Sequence, residues 1–198
     1  MKVLLTLGTK NPGKLDEYRE MSKDFPWLGF RLAPAQFAPE ETGSTYIENA
    51  GIKAREAANL SGLPSFADDS GIEVEALEGR PGLYSARYSE GSDALGRRKL
   101  LKEMEPFKTG REARFVCAIV LFMPGEDKPL FQTEEYWNGR ISTEEKGEGG
   151  FGFDPIFLPE GKDVTAAQIS SKEKNLLSHR GQAWRQTLKF LEKNFINQ

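Results

Sequence analysis

The segment Ser65-Phe66-Ala67-Asp68-Asp69-Ser70-Gly71 sets two adjacent carboxylates, a hydroxyl and a glycine directly after a short apolar run. The pattern reads as a buried strand that empties into a tight turn and delivers acids at its end. Open α/β sheets hold ligands outside the carboxyl ends of their strands. Carboxylates are hard oxygen ligands, suited to Mg²⁺ and hence to phosphates. Asp-Ser-Gly is equally ordinary turn chemistry.

Four further segments supply complementary chemistry. Thr9-Lys10-Asn11-Pro12-Gly13-Lys14 follows a strand pattern and opens a helical one. Backbone N–H groups and the positive dipole end at such a helix start favour an anion. Thr9 and Asn11 can add side-chain donors, and Lys14 adds a charge. It is not a Walker A loop, because the G-x-x-x-x-G-K-[ST] spacing is absent. Asn11 as N-cap with Pro12 at the first helical position explains the same residues as a plain helix start. Glu40-Glu41-Thr42-Gly43, ahead of a helix bearing Lys53, adds a carboxylate to Asp68 and Asp69; acids before a helix also simply suit its dipole.

The loop Gly149–Asp154 lets backbone approach a flat ligand. Phe151 or Phe153 can stack on a base, and Asp154 can accept from ring N–H groups. Gly152 lies between the two aromatics. Lys174, His179 and Arg180 cluster near a helix start, against the preference of its dipole. That placement suits an anionic or oxygen-rich partner, although a solvated helix end is the alternative. Together the segments supply a phosphate cradle, metal-binding acids, a base pocket and oxygen-facing cations, the parts of one nucleoside triphosphate site.

The elements that must position these groups follow from periodicity. Val3–Leu7 reads as a strand, Leu15 to Ser22 as helix and Phe30–Leu32 as a second strand. Thr45-x-x-Glu48 has the form of a capping box. Behind it Ile47, Ala50, Ala54, Ala57 and Ala58 keep helical spacing to about Leu60. Ser65–Asp68 is the next strand, and Ile72–Val74 alternates. Asp93–Met104 reads as a charged surface helix and Ala113–Met123 as a central strand that returns through Leu130–Trp137. Ser170-x-x-Glu173 is a second capping box. A last helix runs from about Ser178, with Trp184, Leu188, Leu191 and Phe195 on one face. This describes one mixed α/β domain of 198 residues, with a long hairpin as the basis of a second lobe.

Composition excludes other classes. A net charge of −3 provides no basic footprint for nucleic acid. The one histidine, His179, rules out two-histidine zinc sites, and no G-x-S-x-G elbow accompanies it. The single Cys117 lies in an apolar run and reads as a packed core thiol. The start Met1-Lys2-Val3-Leu4-Leu5-Thr6 lacks a signal-peptide pattern and no run has the length of a membrane span. The expectation is a cytoplasmic protein with neither nucleic-acid nor membrane partners.

The motifs also carry a family resemblance across nearly the whole chain, in order. They are the Thr9–Lys14 loop, Glu40-Glu41-Thr42-Gly43, Tyr46-Ile47-Glu48-Asn49-Ala50 and Ala67-Asp68-Asp69-Ser70-Gly71. They continue through Pro81-Gly82-Leu83-Tyr84-Ser85-Ala86-Arg87-Tyr88, Gly149-Gly150-Phe151-Gly152-Phe153-Asp154-Pro155-Ile156-Phe157 and Ser178-His179-Arg180-Gly181. The sequence resembles the Ham1-like family of inosine triphosphate, or XTP/dITP, pyrophosphatases.

The resemblance implies an elongated α/β fold, a mixed twisted sheet with flanking helices, in two lobes with a central nucleotide cleft. It implies a homodimer and Mg²⁺-dependent hydrolysis of ITP, dITP and XTP to the monophosphate and pyrophosphate. By its motif Asp69 is the catalytic base and a metal ligand, with Glu40 as second metal carboxylate and Asp68 beside it. Thr9, Lys10, Asn11, Pro12, Gly13 and Lys14 form the triphosphate loop, and Lys53 and Ser70 are further substrate contacts. Phe151, Gly152, Phe153, Asp154, Lys174, His179 and Arg180 match base-recognition positions. The family's first loop usually reads T-G-N, with glycine where this chain has Lys10; that side chain must point out of the cradle or add a phosphate contact. The rival readings are a pyrophosphatase for modified pyrimidine triphosphates and a nucleotide sensor without turnover.

Overall fold

In a computed structural model, residues 2–89 and 92–196 are described; Met1, Glu90, Gly91, Asn197 and Gln198 lie outside them. Six strands form one sheet: β1 (Val3–Leu7), β2 (Leu28–Leu32), β3 (Ser65–Val74), β4 (Glu112–Phe122), β5 (Phe131–Ile141) and β6 (Phe157–Pro159), in the order β2-β1-β3-β4-β5-β6. β1 is parallel to β2 and β3, whereas β5 and β6 are antiparallel, so the sheet is mixed. Five helices accompany it: α1 (Pro12–Met21), α2 (Tyr46–Ser61), α3 (Asp93–Glu103), α4 (Ser171–Leu177) and α5 (His179–Leu191). The expected α/β class with a mixed sheet holds.

The chain divides into two compact units. The first comprises Met1–Asp69, Cys117–Glu135 and Ala183–Gln198; the second comprises Ser70–Val116 and Tyr136–Gln182. The boundaries fall inside β3, β4, β5 and α5. Each unit has its own core. In the first, Leu5, Leu7, Phe66, Ile119, Leu121 and Trp184 pack with Tyr18 and the buried Cys117. Tyr18, Phe66 and Trp184 meet at ring-centroid distances of 4.8–4.9 Å, within the range where aromatic pairs add to area burial. In the second, Ile72, Leu100, Met104, Phe115, Trp137 and Phe157 form the cluster. Arg111 there donates to the carbonyls of Met104, Phe107, Ile141 and Ser142.

One expectation is overturned. β3 does not end before the acids: it runs as strand through Asp68-Asp69-Ser70-Gly71 to Val74 and takes in the separately expected Ile72–Val74 strand. The turn-forming residues yield because pairing and burial within a sheet outweigh local preference. Helix α1 also starts earlier than its periodicity implies. Asn11 caps it, its side chain accepting from the Gly13 N–H, and Pro12 occupies the first turn.

The first capping box forms in altered shape. Thr45 accepts from the Glu48 N–H, but the Glu48 carboxylate reaches back to the N–H and hydroxyl of Ser44 rather than to Thr45. The alanine stripe of α2 packs inward as expected, with Ala50, Ala54, Ala57 and Ala58 all fully buried. Among the described residues no helix is long and apolar enough to cross a membrane.

Candidate active site

In the first unit, β1 delivers the chain to Gly8, whose N–H donates to the Phe66 carbonyl of β3. A Cβ at Gly8 would lie 3.0 Å from both the Lys53 carbonyl and the Ala67 Cβ. Only glycine lets the strand end approach the backbone of α2 this closely. In the sequence Gly8 marks the end of the strand and the start of the polar loop; its close approach to α2 depends on packing.

The loop that follows is tied to itself. Thr9 Oγ1 accepts from the Asn11 N–H and Asn11 Oδ1 from the Gly13 N–H. Both side chains therefore serve as acceptors here, and the plain capping role of Asn11 is real. Lys10 is exposed. Its φ is not positive, since Glu78 is the sole non-glycine residue with positive φ among those described. Position 10 therefore has no need of glycine in this chain.

The acids sit where strand alternation places them. Successive side chains of a strand point to opposite faces, and Asp68 and Asp69 have different partners. Lys14 of α1 bonds Asp68 at 2.9 Å, and Lys53 of α2 bonds Asp69 at 2.6 Å. Asp68, Asp69 and Lys53 are all buried. Burial raises the Asp69 pKa above the ordinary aspartate value, although Lys53 works against it. Burial alone would lower the pKa of Lys53; Asp69, Asp68 and Glu41 outweigh it, and the net shift is upward.

The Glu40-Glu41 pair resolves differently from expectation. Glu40 is exposed, whereas Glu41 lies 3.4 Å from Lys53 and so joins the Asp69 group. The Glu41 segment is held by Asn49 of α2, which accepts from the Gly43 N–H.

The donor set suits Mg²⁺. It is all carboxylate oxygen, and Asp68, Asp69 and Glu41 face two ammonium groups, leaving surplus negative charge. Among the described residues no group of three or more His, Cys, Asp or Glu is gathered to hold a metal. Mg²⁺ itself takes one or two carboxylates and completes its shell with substrate phosphates and water.

In the second unit the candidate groups converge on Phe151. This ring is 49% exposed, with the Lys174 Nζ 4.6 Å and the Arg180 guanidinium carbon 5.3 Å from its centroid. Arg180 also donates to the Ser70 hydroxyl at 3.1 Å. His179 opens α5 and lies flat on Phe115, 4.8 Å between centroids and 7° between planes.

Two residues of the glycine loop, Phe153 and Asp154, are buried. Phe153 is only 7% exposed and packs in the core beside Tyr88. Asp154 is buried; its Oδ2 accepts from the Phe151 N–H at 2.8 Å and from Lys174 at 2.5 Å. Its carboxylate thereby orders the loop. Gly150, at φ +71°, leaves the room Asp154 occupies: a Cβ there would lie 2.0 Å from that Oδ2. Gly152, at φ +59°, is held from outside by Asp93 and Arg97 of α3, which sequence reading took for a surface helix. Two open grooves of the second unit, about 610 and about 460 Å³, include none of the candidate residues.

An α/β scaffold with lysine–carboxylate pairs in one unit, and a cation-flanked aromatic on a glycine loop in the other, suits proteins that handle phosphates and flat bases. Residues 5–190 match the model of the Ham1 family. The chain is 45% identical over 197 residues to the dITP/XTP pyrophosphatase of Idiomarina loihiensis, covering 96% of this chain and 98% of that protein. It is 47% identical to the one from Thioalkalivibrio sulfidiphilus, covering 97% and 99% respectively. The structure of a HAM1 protein from Coxiella burnetii superposes with a TM-score of 0.86 at 38% identity, covering 96% of this chain and 99% of that one. The chain belongs to the Ham1 family.

Proposed function

We propose that the chain hydrolyses non-standard purine nucleoside triphosphates, ITP, dITP and XTP, to the monophosphate and pyrophosphate, and so removes them from the nucleotide pool. The observation that carries the reading is the buried Asp69, held by Lys53 and raised in pKa, in a chain whose near-full-length relatives are named dITP/XTP pyrophosphatases. A carboxylate base gains strength as its pKa approaches the working pH.

Asp69 takes a proton from a water aligned with the α-phosphorus. The new P–O bond forms as the bond to the β-phosphate oxygen breaks, and that oxygen leaves with pyrophosphate. Lys14 and Lys53 steady the phosphate charge, with the positive dipole end of α1 behind them. Asp69 with Glu40 or Asp68 would hold Mg²⁺, and the position of Glu41 adds it to that set. The ion would supply charge neutralisation and orientation of the phosphates.

In the second unit Phe151 stacks on the base, and Arg180, His179 or loop N–H groups donate to its six-position oxygen. Adenine presents a donor there, and unpaired polar groups of this kind reject a wrong substrate by orders of magnitude. We further propose that residues 1–198 act as one catalytic domain, that the working form is a homodimer and that it resides in the cytoplasm.

A panel of ITP, XTP, dUTP, 5-methyl-UTP and ATP, assayed for pyrophosphate with and without Mg²⁺, tests the reading. Turnover of the first two above the rest is expected. Preference for the pyrimidines, or binding without turnover, would replace it by one of its rivals.

A further inference from the structure

Phe151 lies on the glycine loop, and a stacking residue discriminates only if its backbone is fixed. The peptide before Phe151 is held by its N–H on Asp154 Oδ2, at 2.8 Å. The peptide after it is held at both ends: its carbonyl accepts from the Asp154 N–H at 3.2 Å, and the Gly152 N–H donates to Asp93 Oδ2 at 2.7 Å. The next peptide is held by its carbonyl, which accepts from Arg97 Nη1 at 2.9 Å. Arg97 is itself oriented by Glu145, at 2.8 Å from its Nε.

Asp93 and Arg97 are four residues apart on α3, and side chains at that spacing share one helix face. One helix therefore grips both polar groups of a single glycine, each bond assisted by a charge. Asp154 ties the loop to itself and to Lys174, whereas the Asp93–Arg97 pair ties it to a separate rigid element. Gly96, between them, brings α3 to the Phe153 ring; a Cβ there would lie 3.7 Å from it.

We propose that Asp93 and Arg97 are positioning residues for base selection: they lock Gly152 and thereby set the pose of Phe151 against the purine. The inference rests on the proposed function and adds to it a specificity determinant outside the base-recognition residues themselves. Loss of either grip frees the peptide after Phe151 or the one beyond it. The base then seats less well, while the acids of the first unit keep their own contacts.

The experiment compares wild type, Arg97→Ala and Asp93→Ala, with the exposed neighbour Arg98→Ala as control, on ITP and ATP. Loss of either grip should raise KM for ITP about tenfold and change kcat by less than about threefold, the pattern of a misplaced binding group. The ratio of kcat/KM for ITP to that for ATP should fall. Arg97→Lys and Asp93→Asn, which retain a donor and an acceptor, should recover most of the loss. Arg98→Ala should match wild type.

Unchanged KM and selectivity beside a lowered Tm would overturn the proposal, leaving the pair as structural support only. If Arg97→Ala does not fold, Asp93→Ala carries the same test. Wild type that releases no pyrophosphate from ITP would sink the proposed function itself; wild type that does, with variants of undiminished selectivity, would sink the clamp alone.

Discussion

Asp69 combines three properties on one side chain: burial, an upward-shifted pKa and an ammonium partner at 2.6 Å. A base assigned to such a group makes a sharp prediction. Asp69→Asn should lose turnover yet still bind dITP measurably, because an amide keeps the size but cannot take the proton. Retention of more than about a tenth of the wild-type rate would show the base to be elsewhere, since loss of a general base removes about 10²–10⁴-fold. Lys53 gives a second prediction with a defined sign. Lys53 lowers the Asp69 pKa against the effect of burial. Lys53→Ala removes that opposition, so the Asp69 pKa rises further and the ionised base is lost at a higher pH. The acid limb of the kcat/KM profile should move to higher pH. An acid limb that stays put, or moves down, would contradict the pairing.

These roles were only partly legible. Asp68 and Asp69 stood out by adjacency, but nothing in adjacency says that one will meet Lys14 and the other Lys53, because partners from remote helices leave no local pattern. Glu41 was hidden for the same reason behind Glu40. Phe151 and Phe153 looked alike as residue types; burial separated them, and burial is a property of the packed unit.

Helix α2 is the element on which the acid group depends, because it carries Lys53 and, through Asn49, fixes the Gly43 segment. Its start rests on Thr45, so Thr45→Ala should destabilise the protein by about 1 kcal/mol, the usual cost of a lost N-cap. Urea unfolding measures it; a change within error would mean that the Ser44–Glu48 bonds suffice alone. Burial in β4 sets a larger scale. Leu121 is fully buried in the first core, and Leu121→Ala should cost about 2–5 kcal/mol by transfer and cavity terms. A loss below about 1 kcal/mol would require the site to collapse far more readily than such cores do.

Strong periodicity made most elements readable. β1 holds its expected span, β2 and β4 differ by a residue or two, and the alanine stripe of α2 faces inward as expected. β3 failed because Asp, Ser and Gly carry turn preferences that a paired strand overrides. β5 was read too short, as Asn138-Gly139-Arg140 shows no strand-like composition yet pairs with β6. The grip of α3 on Gly152 was illegible because a charged helix reads as solvent-facing until its partner backbone is in place.

At the scale of the whole molecule, two cores support two sets of chemistry. The first unit holds the lysine–carboxylate pairs and the α1 start; the second holds Phe151, Asp154, Lys174 and Arg180. β3 joins them by chain continuity, Asp69 closing one unit and Ser70 opening the next. Motif order foretold the family; the division into two units depends on long-range packing that no local window carries.

The central claim is that these parts cleave one anhydride bond of one substrate class. It is tested most directly by identifying the products formed from ITP, dITP and XTP with Mg²⁺ present. Monophosphate and pyrophosphate are expected in equal amounts, with little of either from ATP and neither once the ion is chelated. Orthophosphate with a diphosphate product, or equal turnover of ATP, would contradict it.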